Sequence, residues 1–410
     1  YQHGADEFHG AGGEMRVEER RVNWEILDAW RDAAAESGIP KIAEFNRGDN
    51  SGNAYFQMTQ RRGSRWSATK AFLDPANARP NLTILTESHV QKLLFDHLSD
   101  EKRCTGIQVQ TKRGIETFEA SREVLLSAGS IGSPQILQLS GVGNGELLKE
   151  RGVIPAHELS GVGENLQDHL QIRTIYKVHN TVTLNQRINS LFGLAAMGIE
   201  YFLLKTGPLT MPPSQLGAFA KSDENQPTAN IEWHVQPLSL DKFGEPLHKY
   251  NAITPSVCNL RPSSRGHVRI KSNRPEDYPA LTLNYLSTEE DLQVAVSGLK
   301  YTRKIMASPA LSRFEPEELK PGADVVTDAD LERAARDLGT TIFHPVGTCK
   351  MGNDPLAVVN DRLEVHGIRG LRVIDASVMP TIVSGNTNAP TVMIAEKGAK
   401  FILEDAVKSS

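Results

Sequence analysis

The stretch Thr341–Gly352, TIFHPVGTCKMG, sets one histidine among apolar residues and a cysteine five positions on. His344 has three readings: a packed core ring, a metal ligand together with Cys349, or a base that takes a substrate proton. A zinc site needs three or four ligands, and one His with one Cys is too few, so no metal is expected here. A neutral imidazole titrates near neutral pH and suits proton abstraction, which leaves the core and base readings open. Two other places let a backbone come close to a ligand. The run Val124–Leu126 ends in Ser127-Ala128-Gly129, and the run Leu371–Ile374 ends in Asp375-Ala376, followed by the turn SGNTNAP (384–390). A strand, a small-residue turn and a helix start make the part of an α/β sheet where a ligand meets main chain. The glycines there also serve as plain tight turns, and Asp375 as a helix cap.

Several elements must position these residues. NWEILDAWRDAAAES predicts a helix over 23–37, with Ile26, Leu27, Trp30 and Ala34 on one face, Asn23 as cap and Gly38 as stop. Short strands follow at Leu82–Thr86, Val90–Phe95, Gly106–Thr111, Thr117–Ala120 and Glu123–Ser127. DHLSDEKR (96–103) reads as a solvated hairpin tip. The helix after Gly129 carries Pro134 near its start and turns Ile136, Leu137 and Leu139 inward. Residues 168–260 mix strands, long loops and prolines, and read as a second lobe. The apolar run Leu191–Ile199 reads as a buried helix or pocket wall, and the Met and aromatic positions of 190–204 as core rather than a substrate clamp. Trp233 and His234 fit a half-buried strand or a pocket lining. Ser287–Glu290 and Thr327–Asp330 each open a helix with a capping box, the first running about five turns.

The chain has 410 residues, long for one domain, with 39% hydrophobic and 23% charged residues. A net charge of −5 without Lys/Arg runs argues against nucleic acid or an anionic membrane as main partner. Cys104, Cys258 and Cys349 are far apart and form no CxxC pair, which fits a reducing, cytoplasmic compartment. The longest apolar run is too short to span a bilayer, and peripheral contact with a membrane stays open. The opening YQHGADEFHGAGGE has no initiator Met, no apolar leader and no GxGxxG spacing, and reads as the interior of a larger protein.

From residue 129 the chain resembles the glucose–methanol–choline (GMC) flavin oxidoreductases. GSIGSPQILQLSGVG (129–143) fills each constrained position of their second signature. RWSATKAFL (65–73), HVQKLLFD (89–96), GVGENLQDH (161–169), RPSSRGHVRI (261–270), FHPVGTCKMG (343–352) and the segment 370–399 agree in order. The resemblance implies an α/β FAD-binding, Rossmann-like domain, incomplete because the N-terminal GxGxxG segment is not found, formed by 79–167 and 341–410. A second, α+β substrate-binding domain and cap would comprise 1–78 and 168–340. It implies FAD as cofactor, contacted by the Val90 backbone, Ser127, Ala128, Gly129, Asp375, Ala376, Thr387 and Asn388. It implies His344 as the base and Asn386 as a donor to the substrate oxygen, with Asn388 the alternative if the register shifts by two. His169 then belongs to a structural motif and Cys349 is an inert thiol. The His/Asn pair resembles the choline- and alcohol-dehydrogenase branch. The expected activity is oxidation of a small primary alcohol to the aldehyde, with oxygen or a quinone as electron acceptor and low activity without the N-terminal segment. The rivals are a non-redox lyase of the same fold and a non-catalytic flavoprotein fragment.

Overall fold

The structure, a computed structural model, describes residues 1–96 and 102–408. Most of the hairpin tip expected over 96–103 therefore lies outside the described residues. The chain divides into two compact units, one made of 1–83, 170–259 and 289–340, the other of 84–169, 260–288 and 341–410.

The first unit is built on antiparallel strands in the spatial order Gly52–Tyr55, Leu216–Ala220, Ile231–Gln236, Ala252–Asn259, Leu170–Arg173. Period-two alternation puts Ile172, Trp233, Val235 and Val257 on one face, toward the helices Glu25–Glu36 and Glu289–Met306. Trp233 is fully buried there, and its indole Nε1 donates to Thr302 Oγ1 at 2.8 Å. The opposite face carries Arg173, Glu232, His234, Ser256 and Cys258, and it is buried too. The strand Ile231–Gln236 is thus buried on both faces, not on one as the alternation suggested.

Other expectations are corrected. The first helix begins at Glu25 without a side-chain cap, because the Asn23 amide oxygen accepts from Arg20 Nε at 3.0 Å instead. The segment 82–86 is not a strand; its side chains face solvent. The helix Leu191–Leu204 forms, yet only Met197 is buried, while Leu191 (87%), Phe192 (85%) and Phe202 (77%) are exposed. This helix is apolar all round, so periodicity could not tell a core helix from one presenting a bare apolar face. Of the capping boxes, Thr327–Asp330 is made in full. The helix expected from Ser287 starts at Glu289, and the Ser287 hydroxyl meets Ser264.

In the second unit a three-stranded antiparallel meander, His89–Asp96, Arg103–Thr111 and Gly114–Glu119, packs beside two parallel strands, Val124–Leu126 and Leu371–Val373. Because the pair is parallel, both strands end on the same side, at Ser127 and at Ile374-Asp375. The helix Gly129–Leu139 leaves one end and the short helix Ala376–Val378 leaves the other. The core between them holds Leu93, Cys104, Leu126, Leu137, Cys349, Val358 and Val373. The Cys349 thiol is fully buried, and that burial pushes its pKa up, so it packs as an apolar group.

Candidate active site

The segment Asn165-Leu166-Gln167-Asp168-His169 is the frame of the site. Gln167 exchanges backbone hydrogen bonds with Val346 (3.0 and 2.9 Å), and Leu166 does so with Gly266. That short antiparallel register brings Asp168 and His169 against the loop 341–347. Inside this loop Pro345 bars helix for His344, and Gly347 at φ 93 turns the chain where a Cβ would stand 2.5 Å from the Asn165 carbonyl oxygen.

Asp168 fastens the loop with both carboxylate oxygens. Oδ1 accepts from the His344 backbone N–H at 2.8 Å; Oδ2 accepts from Thr341 Oγ1 at 2.5 Å and from the Tyr285 hydroxyl. Thr341 Oγ1 in turn accepts from the Phe343 N–H at 2.8 Å. Held from both sides, Phe343 adopts φ 65, a left-handed conformation rare for a bulky residue, with its ring exposed. Burial raises the Asp168 pKa, against the donors that lower it.

His344 is 8% exposed. Its Nδ1 lies 3.1 Å from Nδ1 of His169, and its Nε2 lies 3.2 Å from Nδ2 of Asn386. Burial pulls the His344 pKa down to about 4, so the ring is neutral at neutral pH. Asn386 itself is largely exposed, on a turn tied back to the same frame. Gln167 Nε2 donates to the Pro380 carbonyl at 3.1 Å, and Gln167 Oε1 accepts from the Ile382 N–H at 3.1 Å. Asn165 Nδ2 also donates to the Pro380 carbonyl, at 3.2 Å. Asn388 sits two residues further on, as the first residue of the helix Asn388–Lys408.

The residues expected to face a cofactor cluster at the two strand ends. Ser127 and Ala128 are exposed, and Gly129 follows at φ 78 with open space where a Cβ would lie. Asp375 is buried, and its carboxylate is committed to protein: it accepts from Gly129 N–H (2.9 Å), Ser133 Oγ (2.5 Å) and Ser377 N–H (2.8 Å). It ties one strand end to the other and caps Ala376–Val378, which leaves main chain to face a ligand at this turn. Thr387 is buried and Asn388 exposed at a helix N-terminus. Val90 is half-buried on the edge strand of the meander, away from the other residues in sequence, with a bulge at Val90–Lys92. The exposed small residues Ser127 and Ala128 at one strand end, with the N-terminus of the helix Asn388–Lys408, fit a large anionic cofactor that meets backbone.

Family profiles described as GMC oxidoreductase match residues 1–171 and 262–395. The chain belongs to the GMC oxidoreductases. It is 37% identical over 97% of its length to "Alcohol dehydrogenase [acceptor]" of Pseudomonas putida, covering 71% of that protein. It is 38% identical over 97% of its length to "Oxygen-dependent choline dehydrogenase" of Cronobacter sakazakii, again covering 71%. Among solved structures, pyridoxine 4-oxidase from Mesorbium loti is similar with a TM-score of 0.83 at 27% identity, over 96% of this chain and 72% of that one. An FAD-dependent oxidoreductase from Chaetomium thermophilum is similar with a TM-score of 0.88 at 25% identity, over 98% of this chain and 76% of that one. This GMC chain is accordingly an FAD-dependent oxidoreductase with the fold of that family.

Two residues that matter to the geometry were not singled out for it in the sequence. Asp168 and His169 were absorbed into a structural motif, although a carboxylate next to a histidine was a visible signal.

Proposed function

We propose that the protein oxidises the CH–OH group of a small primary alcohol to the aldehyde, with His344 as base and Asn386 as oxygen-positioning donor. The observation that carries this reading is the 3.2 Å approach of Asn386 Nδ2 to Nε2 of a buried, neutral His344. A ring nitrogen that accepts and an amide that donates converge there. An alcohol oxygen that enters this contact displaces the amide from Nε2, gives its proton to Nε2 and receives the amide N–H. FAD supplies the acceptor for the hydrogen that leaves the carbon with its electron pair. Val90, Ser127, Ala128, Gly129, Asp375, Ala376, Thr387 and Asn388 would hold it, Asp375 through its backbone. The buried imidazole keeps its lone pair because water and protons are kept from it, and Asp168 holds the His344 main chain at the place where that lone pair is used.

The unit with the two parallel strands is read as the FAD-binding domain and the sheet unit as the substrate-binding domain. Support for the second comes from Arg173, buried on one sheet face with guanidinium nitrogens that lack hydrogen-bond partners among the described residues. Charged groups are rarely buried in this way except where a ligand meets them. The names of the two dehydrogenase relatives support an alcohol as the substrate class. No helix among the described residues is long and apolar enough to cross a membrane. The bare apolar face of Leu191–Leu204 supports peripheral contact of a cytoplasmic protein with a bilayer. Co-sedimentation with lipid vesicles, lost in Phe192→Glu, tests that contact.

The reaction is tested by mixing the FAD-loaded enzyme with a panel of primary alcohols without oxygen. Bleaching of the flavin with aldehyde formed in equal amount is expected. A lyase reaction would leave the flavin oxidised, and a binding protein would form no product.

A further inference from the structure

We infer that His169 is a positioning residue that fixes the proton of His344 on Nδ1 and so leaves Nε2 free to act. The inference rests on His344 being the base, and it follows from counting donors along one chain of contacts. His169 is fully buried. Its Nε2 lies 3.1 Å from the Leu260 carbonyl oxygen and its Nδ1 lies 3.1 Å from Nδ1 of His344. A carbonyl oxygen only accepts, so His169 Nε2 carries a proton, and a ring with that one proton keeps its lone pair on Nδ1. Its Nδ1 must then accept. The hydrogen bond between the two rings therefore carries the proton of His344 Nδ1. That leaves Nε2 of His344 bare, which agrees with the Asn386 amide N–H that points to it at 3.2 Å. The order runs from Asn386 N–H to His344 Nε2, from His344 Nδ1–H to His169 Nδ1, and from His169 Nε2–H to the Leu260 carbonyl. Each step forces the next.

The same chain acts when the base takes a proton. The alcohol O–H bond breaks, the proton joins Nε2, and His344 becomes an imidazolium with a proton on each nitrogen. Its Nδ1–H then makes a charge-assisted bond to His169, stronger than the neutral one. In a site where burial disfavours charge, that bond is the direct protein contact with the new cation's far side. The two ring planes stand at 81° with the Nδ1 atoms 3.1 Å apart, an edge arrangement and not a stack. A role in packing alone would not require this orientation or the Leu260 carbonyl at the other nitrogen.

The test uses FAD-loaded enzyme with ¹⁵N-labelled histidine rings. In the wild type, His344 is expected to show a protonated Nδ1 and an unprotonated Nε2. A proton found on Nε2 instead would overturn the inference, and turnover of His344→Ala then reads separately whether His344 is needed as the base. In turnover, His169→Leu removes the acceptor and should lower kcat on the order of 10²-fold, with KM within a few-fold. His169→Gln should recover most of that loss, since its amide can donate to Leu260 and accept from His344. Equal loss in the Leu and Gln variants, with the His344 tautomer unchanged in both, would show a packing role and sink the proposal. If His169→Leu does not fold, the wild-type spectrum and the Gln variant still decide it. If His344→Ala retains full activity while the wild-type tautomer is as expected, the failure belongs to the base assignment and not to His169.

Discussion

At Asn386 the side-chain amide stands on an exposed turn with its Nδ2 3.2 Å from Nε2 of His344, where the proposed reading makes it a donor. Donors to charge that develops in a dry site are typically worth about 3–4 kcal/mol. Asn386→Asp puts an acceptor in that place and should reduce kcat more than Asn386→Ala, which leaves a gap that water can enter. Asn386→His keeps an N–H and should retain the most activity of the three. Steady-state kinetics on all three variants checks the order, and an Asp variant equal to wild type would mean that the amide does not face substrate. The His344 ring adds a pH expectation. Its folded pKa is pulled to about 4 by burial, below the ordinary value of about 6.5. The acid limb of kcat/KM should therefore lie below 6.5. In the same window the unfolded chain binds a proton that the folded one does not, so stability should fall as pH drops from about 6.5 to about 4. Chemical denaturation at several pH values, compared with His344→Gln, reads that contribution. The roles of His344 and Asn386 came from the family resemblance, and the fold sets Asn386 Nδ2 3.2 Å from His344 Nε2. The partners of His344 were not legible in the sequence, because His169 is 175 positions away and only the fold brings it near.

Among the elements, the segment Asn165–His169 does the most with the fewest residues. Gln167 and Asn165 hold the turn before the last helix, and Asp168 holds the loop that carries His344. Asp168→Asn keeps the size but turns one of two accepting oxygens into a donor. At a buried position that serves three donors this should cost about 1–3 kcal/mol. The thermal midpoint should fall, and kcat should fall with it, as His344 loses its fixed main chain. A variant with wild-type stability and rate would show that Tyr285 and Thr341 find other partners at no cost. Strand and helix positions in this unit followed from pattern: the meander, the apolar strand before Ser127 and the helix at Pro134 all form near where the residues placed them. The clamp did not, since a run such as NLQDH has no periodicity and its polar side chains find their partners only in three dimensions.

For the whole molecule, the sequence conveyed the family and its α/β character more readily than the division of the chain. Residues 260–288 sit within the same unit as 84–169, and Tyr285 reaches Asp168 across 117 positions. Composition does not change at 260, so no linker marked it. The exposed helix Leu191–Leu204 was misjudged for a related reason: apolar residues signal what a helix can bury, not whether the fold covers it. The central claim joins these scales, since a GMC fold, a loop clamp and a neutral buried imidazole together predict proton removal coupled to flavin reduction. The most direct measurement is stopped-flow reduction of the bound FAD by a primary alcohol under anaerobic conditions, in wild type and in His344→Ala. Wild type should bleach in a single turnover with one aldehyde per flavin. The variant should bind alcohol with similar affinity and reduce its flavin about 10²–10⁴-fold more slowly. Equal rates of flavin reduction in the two proteins would contradict the assignment of His344 as the base.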